Sequence, residues 1–289
     1  MMASYQFGCQ LNCWQRELDF RQPAWEKLDT ALVQLKEAGY TGAEVPSWSV
    51  PDLGEPERLR DLFGRQGVTL VSLHVGGPFH DDAAYHSQTL EKVLPVARCA
   101  ARAGAGALVV SNQSLLGKLP EFGTDAGRKS EAWRAQVRNF ADLARRLRDL
   151  GLRTYYHNHD QQFRHNAWEM ESLLEADPDV VELCVDVGHA SQSLAQPALN
   201  DWLAAHWNRI GCLHFKDIRG GLGGQVVEAL GDGGVDFGAV LQIAQDRDFS
   251  GWVVTELDPG PRGIPPVRSS LEDARRSYQV IAAGDGSAA

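Results

Sequence analysis

Short apolar or β-branched runs alternate along the chain with longer amphipathic stretches. The short runs predict strands over Gln6–Cys9, Gly42–Val45, Thr69–His74, Ala107–Val110, Arg153–His157, Val181–Val185, Gly211–His214 and Trp252–Glu256, each near Gly or turn residues. The stretches between them predict helices over Trp25–Ala38, Glu57–Gln66, Leu90–Ala103, Glu131–Leu150, Glu169–Ala176, Asn200–His206, Phe237–Asp246 and Leu271–Ala282. In the longest, Val137, Phe140, Ala141, Ala144, Leu147 and Leu150 recur at helical spacing. Four helices run directly into glycine, at Gly39, Gly67, Gly104 and Gly151, the residue best suited to a left-handed cap.

Eight strands alternating with eight helices imply a parallel sheet. Eight repeats in ~250 residues fit a single closed (β/α)8 TIM barrel. The alternative, an open doubly wound sheet, asks for G-x-G-x-x-G after the first strand, and Gly8-Cys9-Gln10-Leu11-Asn12 is not that. No linker divides the chain, so one barrel is expected over 1–283, with a flexible small-residue tail over 284–289.

Composition narrows the partners. The 289 residues are 43% hydrophobic and 23% charged, ordinary for a globular chain large enough to bury its own core. The formal net charge of −10 argues against a nucleic-acid partner, which needs cationic side chains for phosphate. No apolar run approaches the ~20 residues of a membrane span. Met1–Gln10 lacks the basic start and apolar stretch of a secretory signal, so a soluble, cytoplasmic protein without a membrane partner is expected. Five cysteines, an odd number without C-x-x-C spacing, predict no disulfide framework. Cys99, Cys184 and Cys212 read as small buried hydrophobes, and one of Cys9 and Cys13 as facing a pocket.

In such a barrel the reactive groups sit at the C-terminal ends of the strands. Here those ends carry Glu44, His74, the run Tyr156-His157-Asn158-His159-Asp160, Asp186 with His189 three residues on, His214 followed by Lys216 and Asp217, and Glu256 followed by Asp258. A lone strand-end histidine is more often structural, and Asp186 alone is as good a helix cap as a ligand. Taken together, His157, His159, Asp186, His214 and Glu256 crowd one rim with imidazoles and carboxylates, which a divalent cation resolves. His80, His86, His165 and His206 read as solvated. Trp14 and Trp48, after strands one and two, are candidates for a pocket wall, with core packing the equal alternative. The Gly-rich stretch from Arg219 to Gly234 reads as a lid or a surface loop, and Gly221-Leu222-Gly223-Gly224 lacks the lysine of a phosphate loop.

These strand ends resemble the xylose-isomerase-like TIM barrels: sugar isomerases and epimerases, inosose dehydratase and 3-dehydroshikimate dehydratase. The resemblance runs from about Phe7 to Ala282 and is carried by Tyr156-His157-Asn158-His159-Asp160, Val185-Asp186-Val187-Gly188-His189, Leu213-His214-Phe215-Lys216-Asp217 and Val253-Val254-Thr255-Glu256. The Tyr-His-Asn-His form looks like the inosose-dehydratase-like branch. The resemblance implies metal ligands at His157, Asp186, His214 and Glu256. It implies catalytic roles for His159, His189 and Lys216, and substrate contacts for Glu44, His74, Trp14 and Arg219. His157 replaces the Glu that many members carry on strand five, which removes a negative charge from the ligand set and weakens the analogy to epimerases with paired glutamates.

The implied cofactor is one divalent ion, with Mn²⁺ favoured among Mn, Co, Mg, Fe and Zn. The implied activity is removal of a proton α to a carbonyl of a keto-cyclitol or keto-sugar by a dehydratase or eliminase, with His159 as base. The alternatives are an isomerase or epimerase of the same superfamily and a non-catalytic sugar-binding barrel. A phosphodiesterase of the AP-endonuclease branch is disfavoured by the net charge. The expected partner is a small carbohydrate or cyclitol, with a homo-oligomer possible by base rate.

Overall fold

In the computed structural model, which describes residues 5–112, 115, 118–174, 177, 179, 181–219, 226–258 and 268–284, the strands close on themselves. They are β1 (Gln6–Gln10), β2 (Gly42–Pro46), β3 (Thr69–Gly77), β4 (Ala107–Asn112), β5 (Arg153–His157), β6 (Glu182–Asp186), β7 (Ile210–Phe215) and, after a separate antiparallel pair β8 (Asp217–Arg219) and β9 (Val226–Glu228), β10 (Trp252–Thr255). β1 pairs in parallel with both β2 and β10, Gly8 lying opposite Gly42 on one side and Val254 on the other. This is the expected single (β/α)8 TIM barrel.

The main helices are α1 (Trp25–Ala38), α2 (Pro56–Gln66), α3 (Glu91–Ala103), α4 (Glu131–Asp149), α5 (Arg164–Leu173), α6 (Gln196–Ala205), α7 (Phe237–Asp246) and α8 (Ser270–Gly284). α1, α2 and α3 stop where Gly39, Gly67 and Gly104 take left-handed dihedrals.

Two helices depart from expectation at their starts. α6 begins four residues before the expected Asn200, with Pro197 in its first turn, where a proline's missing N–H costs nothing. α5 begins at Arg164 rather than Glu169, because His165, Asn166 and Ala167 turn through left-handed dihedrals (φ 54°, 57° and 57°) before the regular helix. Ala176, the expected end of that helix, lies outside the described residues.

The Gly-rich stretch after β7 is partly ordered by one side chain. Asp217 Oδ1 accepts from the backbone N–H of Ile218 (2.9 Å) and Val235 (3.1 Å), and Oδ2 from Gly231 (2.8 Å) and Gly233 (2.9 Å). Residues 220–225, which include Gly221-Leu222-Gly223-Gly224, lie outside the described residues, as does the tail beyond Gly284.

The barrel interior is layered by the two-residue period of a strand. One layer is a compact cluster that includes Val109, Tyr155, Cys184, Cys212 and Val254. Two positions further along the chain come His157, Asp186 and His214 on β5, β6 and β7, and Glu256 just past the end of β10. All five cysteines are buried and free. Neither Cys9 nor Cys13 faces the cleft described below; they pack in the core with their sulfurs 3.5 Å apart.

Candidate metal centre and cleft

The fold brings the four expected ligands together. Donor atoms of His157, Asp186, His214 and Glu256 all lie within 4.8 Å of one another, and all four side chains are buried. His157 Nε2 is 3.6 Å from Asp186 Oδ2 and 3.7 Å from Glu256 Oε2, too far for hydrogen bonds. Both ring nitrogens of His157, and Asp186 Oδ2, have no hydrogen-bond partner. Buried polar atoms are seldom left so. Ligands ~2.1 Å from a tetrahedral ion stand about 3.4 Å apart, so these spacings suit one shared cation. Two imidazoles and two carboxylates are also a donor set for a divalent metal.

Asp186, His214 and Glu256 are held by neighbouring groups. Asp186 Oδ1 caps the short helix Val187–Ser191 by accepting from the His189 N–H (2.9 Å), which turns Oδ2 toward the cluster. The Asn158 side chain clamps the Asp186 backbone, donating to its carbonyl (3.1 Å) and accepting from its N–H (2.9 Å). His214 sits between two carboxylates, with Nδ1 2.8 Å from Glu256 Oε2 and Nε2 3.3 Å from Glu44 Oε2. Burial opposes a charge on that ring, but Glu44 foremost outweighs it and raises the pKa well above the ordinary histidine value. Glu44 is fully buried, accepting from Gln10 Nε2 (2.6 Å) and Ser72 Oγ (2.7 Å). Expected to touch substrate, it lies beneath the cleft surface, where it orients His214 as an outer carboxylate does behind a metal-bound histidine.

Lys216 is the unusual member of the rim. Its side chain is buried, and Nζ lies 3.3 Å from Asp186 Oδ2, 3.2 Å from Glu256 Oε1 and 2.8 Å from Asp258 Oδ2. Burial works against its charge, yet Asp186, Asp258 and Glu256 raise its pKa well above that of an ordinary lysine. An ammonium only donates. His189 Nε2, 3.0 Å from Nζ, is therefore the acceptor, and its Nδ1–H donates to Gln192 Oε1 (3.0 Å). Val187–Ser191 reaches this close to the end of β7 because residue 188 is glycine: a Cβ there would stand 2.2 Å from the Lys216 carbonyl oxygen.

Above the cluster opens a cleft of about 660 Å³ lined by His74, His157, His159, His189, Lys216 and Glu256 on its floor side and by Trp48 among others on its walls. Burial, then the fields of His157, His189 and Lys216, push the pKa of His159 down to about 2. Its backbone N–H is fixed by Gln162 Oε1 (2.8 Å). His74 lies 3.1 Å from Gln10 Nε2 and 3.4 Å from Glu44 Oε1.

Two expected substrate contacts are placed elsewhere. Trp14 is fully buried, its indole N–H donating to Gln34 Oε1 (2.6 Å), and is part of the core. Arg219 is exposed on β8, paired with Glu228 of β9, and does not line the cleft. The clamp residues Asn158 and Gln192 were not singled out in the sequence, because only the folded geometry shows which side chain they meet. His206, expected solvated, pairs with Glu171 at 2.9 Å and packs on Trp202.

A second group of potential ligands shares His214 with the first and adds Cys184 and Cys212 from the layer below, all buried. Neither thiol lines the cleft.

A family described as xylose isomerase-like TIM barrel matches residues 32–279. The chain is 25% identical over 267 residues to the rhizopine catabolism protein MocC of Rhizobium meliloti, covering 83% of this chain and 77% of that one. It is 27% identical over 264 residues to the inosose dehydratase of Erwinia tasmaniensis, covering 83% and 85%. Its fold resembles the solved structure of an L-ribulose 3-epimerase, with a TM-score of 0.75, 14% identity and coverage of 98% and 95%.

Proposed function

The chain belongs to the xylose isomerase-like TIM barrel family, and from that premise we propose that it removes the proton α to a carbonyl of a keto-cyclitol or keto-sugar, as a dehydratase or eliminase. The observation that carries this reading is the set of buried donor atoms on His157 and Asp186 that make no hydrogen bond, converging with His214 and Glu256 under the cleft. The similarity to inosose dehydratases supports a polyhydroxylated keto ring, cyclitol or sugar, as the reacting group.

His157, Asp186, His214 and Glu256 would hold one divalent ion, with Mn²⁺ favoured. Bound there, such an ion supplies Lewis acidity to a substrate carbonyl oxygen, stabilising the negative charge that develops as the α proton leaves. Burial and the neighbouring cations keep His159 in its neutral form, with one ring N–H and one lone pair, and that lone pair would accept the α proton at the cleft. Lys216 presents ammonium protons to the oxygen that departs, and His189 holds Lys216 in line through Nε2. When the C–O bond breaks, the leaving hydroxide takes a proton from this pair and departs as water. The histidine at 157 removes one of the paired glutamates that a two-carboxylate epimerase would use, which favours elimination over epimerisation.

The test is proton exchange. The metal-loaded protein, incubated with an inosose in deuterated water, is expected to wash deuterium into the α position and to release the dehydrated enone. Neither exchange nor elimination across a panel of inososes and keto-sugars would refute the reading.

A further inference from the structure

Trp48 is the one exposed residue in the run Gly42–Val50. The run leaves β2 at Pro46 and makes a tight turn, Ser47–Ser49, whose other residues are buried. Ser49 Oγ donates to the Pro46 carbonyl (2.7 Å), and the Val50 N–H lies 3.4 Å from the Ser47 carbonyl. The turn is therefore anchored on both sides of the indole, which stands 48% exposed. Single exposed apolar side chains are common and by themselves mean little. This one differs by its place. The large hydrophobic side chains exposed among the described residues are Val33, Trp48 and Leu150, and of these Trp48 alone lines the cleft over the candidate metal centre.

The cleft is also larger than one ring requires. A keto-cyclitol has about twelve heavy atoms, and at no more than the ~30 Å³ of a liquid water each it fills less than roughly 360 Å³. The cleft measures about 660 Å³. The cleft lining also includes Asn12, Ser47, Gln88 and Lys92, polar groups suited to hydroxyls rather than to an apolar guest. A flat aromatic face in a cleft that also offers hydrogen-bonding groups matches a pyranose, whose axial C–H face is apolar and whose edge is polar.

We propose that Trp48 is the stacking platform for a second pyranose ring, so that the preferred substrate is a keto-sugar carried as a glycoside rather than a free single ring. The inference rests on the proton-abstraction reading of the cleft and specifies its substrate class. The anchored turn fixes the backbone that carries the indole, so binding a sugar has only the Trp48 side chain left to order, which lowers the entropic cost of the contact.

The experiment compares Trp48→Ala and Trp48→Phe with the parent, all metal-loaded, on two substrates: an inosose and the 3-keto derivative of a glucose disaccharide. Solvent deuterium exchange gives KM and kcat. Trp48→Ala is expected to raise KM for the keto-disaccharide about tenfold or more while leaving the inosose within about twofold, with Trp48→Phe restoring most of the loss. Equal losses on both substrates, or none on the disaccharide, overturn the proposal.

A binding measurement separates the platform from the chemistry. The Trp48 indole N–H resonance, assigned by its disappearance in Trp48→Phe, is followed as maltose or glucose is added. A shift with maltose at concentrations where glucose gives none supports the platform even if the parent exchanges no α proton, an outcome that refutes only the proton-abstraction reading. No shift with maltose overturns the platform. A lower solution mass for Trp48→Ala than for the parent overturns it as well, because the indole would then be a contact between copies.

Discussion

His157 Nε2 and Asp186 Oδ2 face each other across 3.6 Å, and neither atom has a hydrogen bond. The imidazole is buried with neither ring nitrogen hydrogen-bonded, and this carboxylate oxygen has only the Lys216 ammonium, 3.3 Å away, beside it; groups left so incompletely paired cost free energy unless a further group completes the set. His214 and Glu256 stand close enough to share that further group. The spacing makes sense as the inner face of a cation site, and the function proposed for the chain depends on it.

His159 separates chemistry from metal binding. It lies on the loop two residues past His157 and is not among the four clustered ligands. His159→Ala is expected to keep the metal and to lose turnover by about 10²- to 10⁴-fold, the usual contribution of a general base. Elemental analysis beside the exchange rate checks both halves, and full activity in the variant would remove His159 from the mechanism.

Gly188 tests how the rim is assembled. A methyl group at that position would meet the Lys216 carbonyl oxygen at 2.2 Å and the Lys216 Cβ at 2.8 Å, so the turn carrying His189 has to move. Gly188→Ala is expected to cost about 1–3 kcal/mol of stability as an overpacked contact and to reduce activity more than stability alone explains. Denaturant unfolding and the exchange rate measure the two effects separately.

Asp217 is expected to act through structure alone. Its carboxylate satisfies four backbone N–H groups of the segment after β7 and takes no place in the cleft. Asp217→Ala strands those donors and should destabilise the protein by about 3 kcal/mol. Hydrogen exchange at Gly231, Gly233 and Val235 should rise before it rises in the barrel strands. Unchanged protection at those amides would contradict this account.

Asp232 gives a pH dependence outside the site. Burial pushes its pKa up, but hydrogen bonds from Arg268 and Arg276 outweigh burial and leave it below the usual carboxylate range. A carboxyl whose folded pKa is depressed stabilises the fold above its unfolded value of ~3.9, and that contribution disappears as pH falls through the folded value. Asp232→Asn should therefore lower the thermal midpoint at pH 7 and leave it nearly unchanged at the acid end. A constant difference across the range would contradict the assignment.

Much of the site was legible in the sequence because a strand has a period of two. Once Cys184, Cys212 and Val254 are read as barrel interior, Asp186, His214 and Glu256 must share that face one layer higher. Glu44 shows where such reading stops. It lies at the expected strand end, but its contact with His214 spans 170 positions in the chain and turns an expected substrate contact into a buried support. Trp14 and Trp48 show the same limit at short range. Both follow a strand, yet only the turn geometry sends one indole into the core toward Gln34 and the other into the cleft. The start of α5 was hidden for a local reason, since no proline or glycine marks the left-handed residues His165, Asn166 and Ala167.

The most direct measurement is the divalent metal content of the purified protein beside Asp186→Asn. The amide keeps the shape of the carboxylate and its cap on the His189 N–H, but lacks the charge that holds a cation against the neighbouring imidazoles. About one ion per chain in the parent and little or none in the variant is the expected result. Equal occupancy in the two proteins, or no ion in either after incubation with Mn²⁺ or Co²⁺, would contradict the metal centre and with it the proposed chemistry.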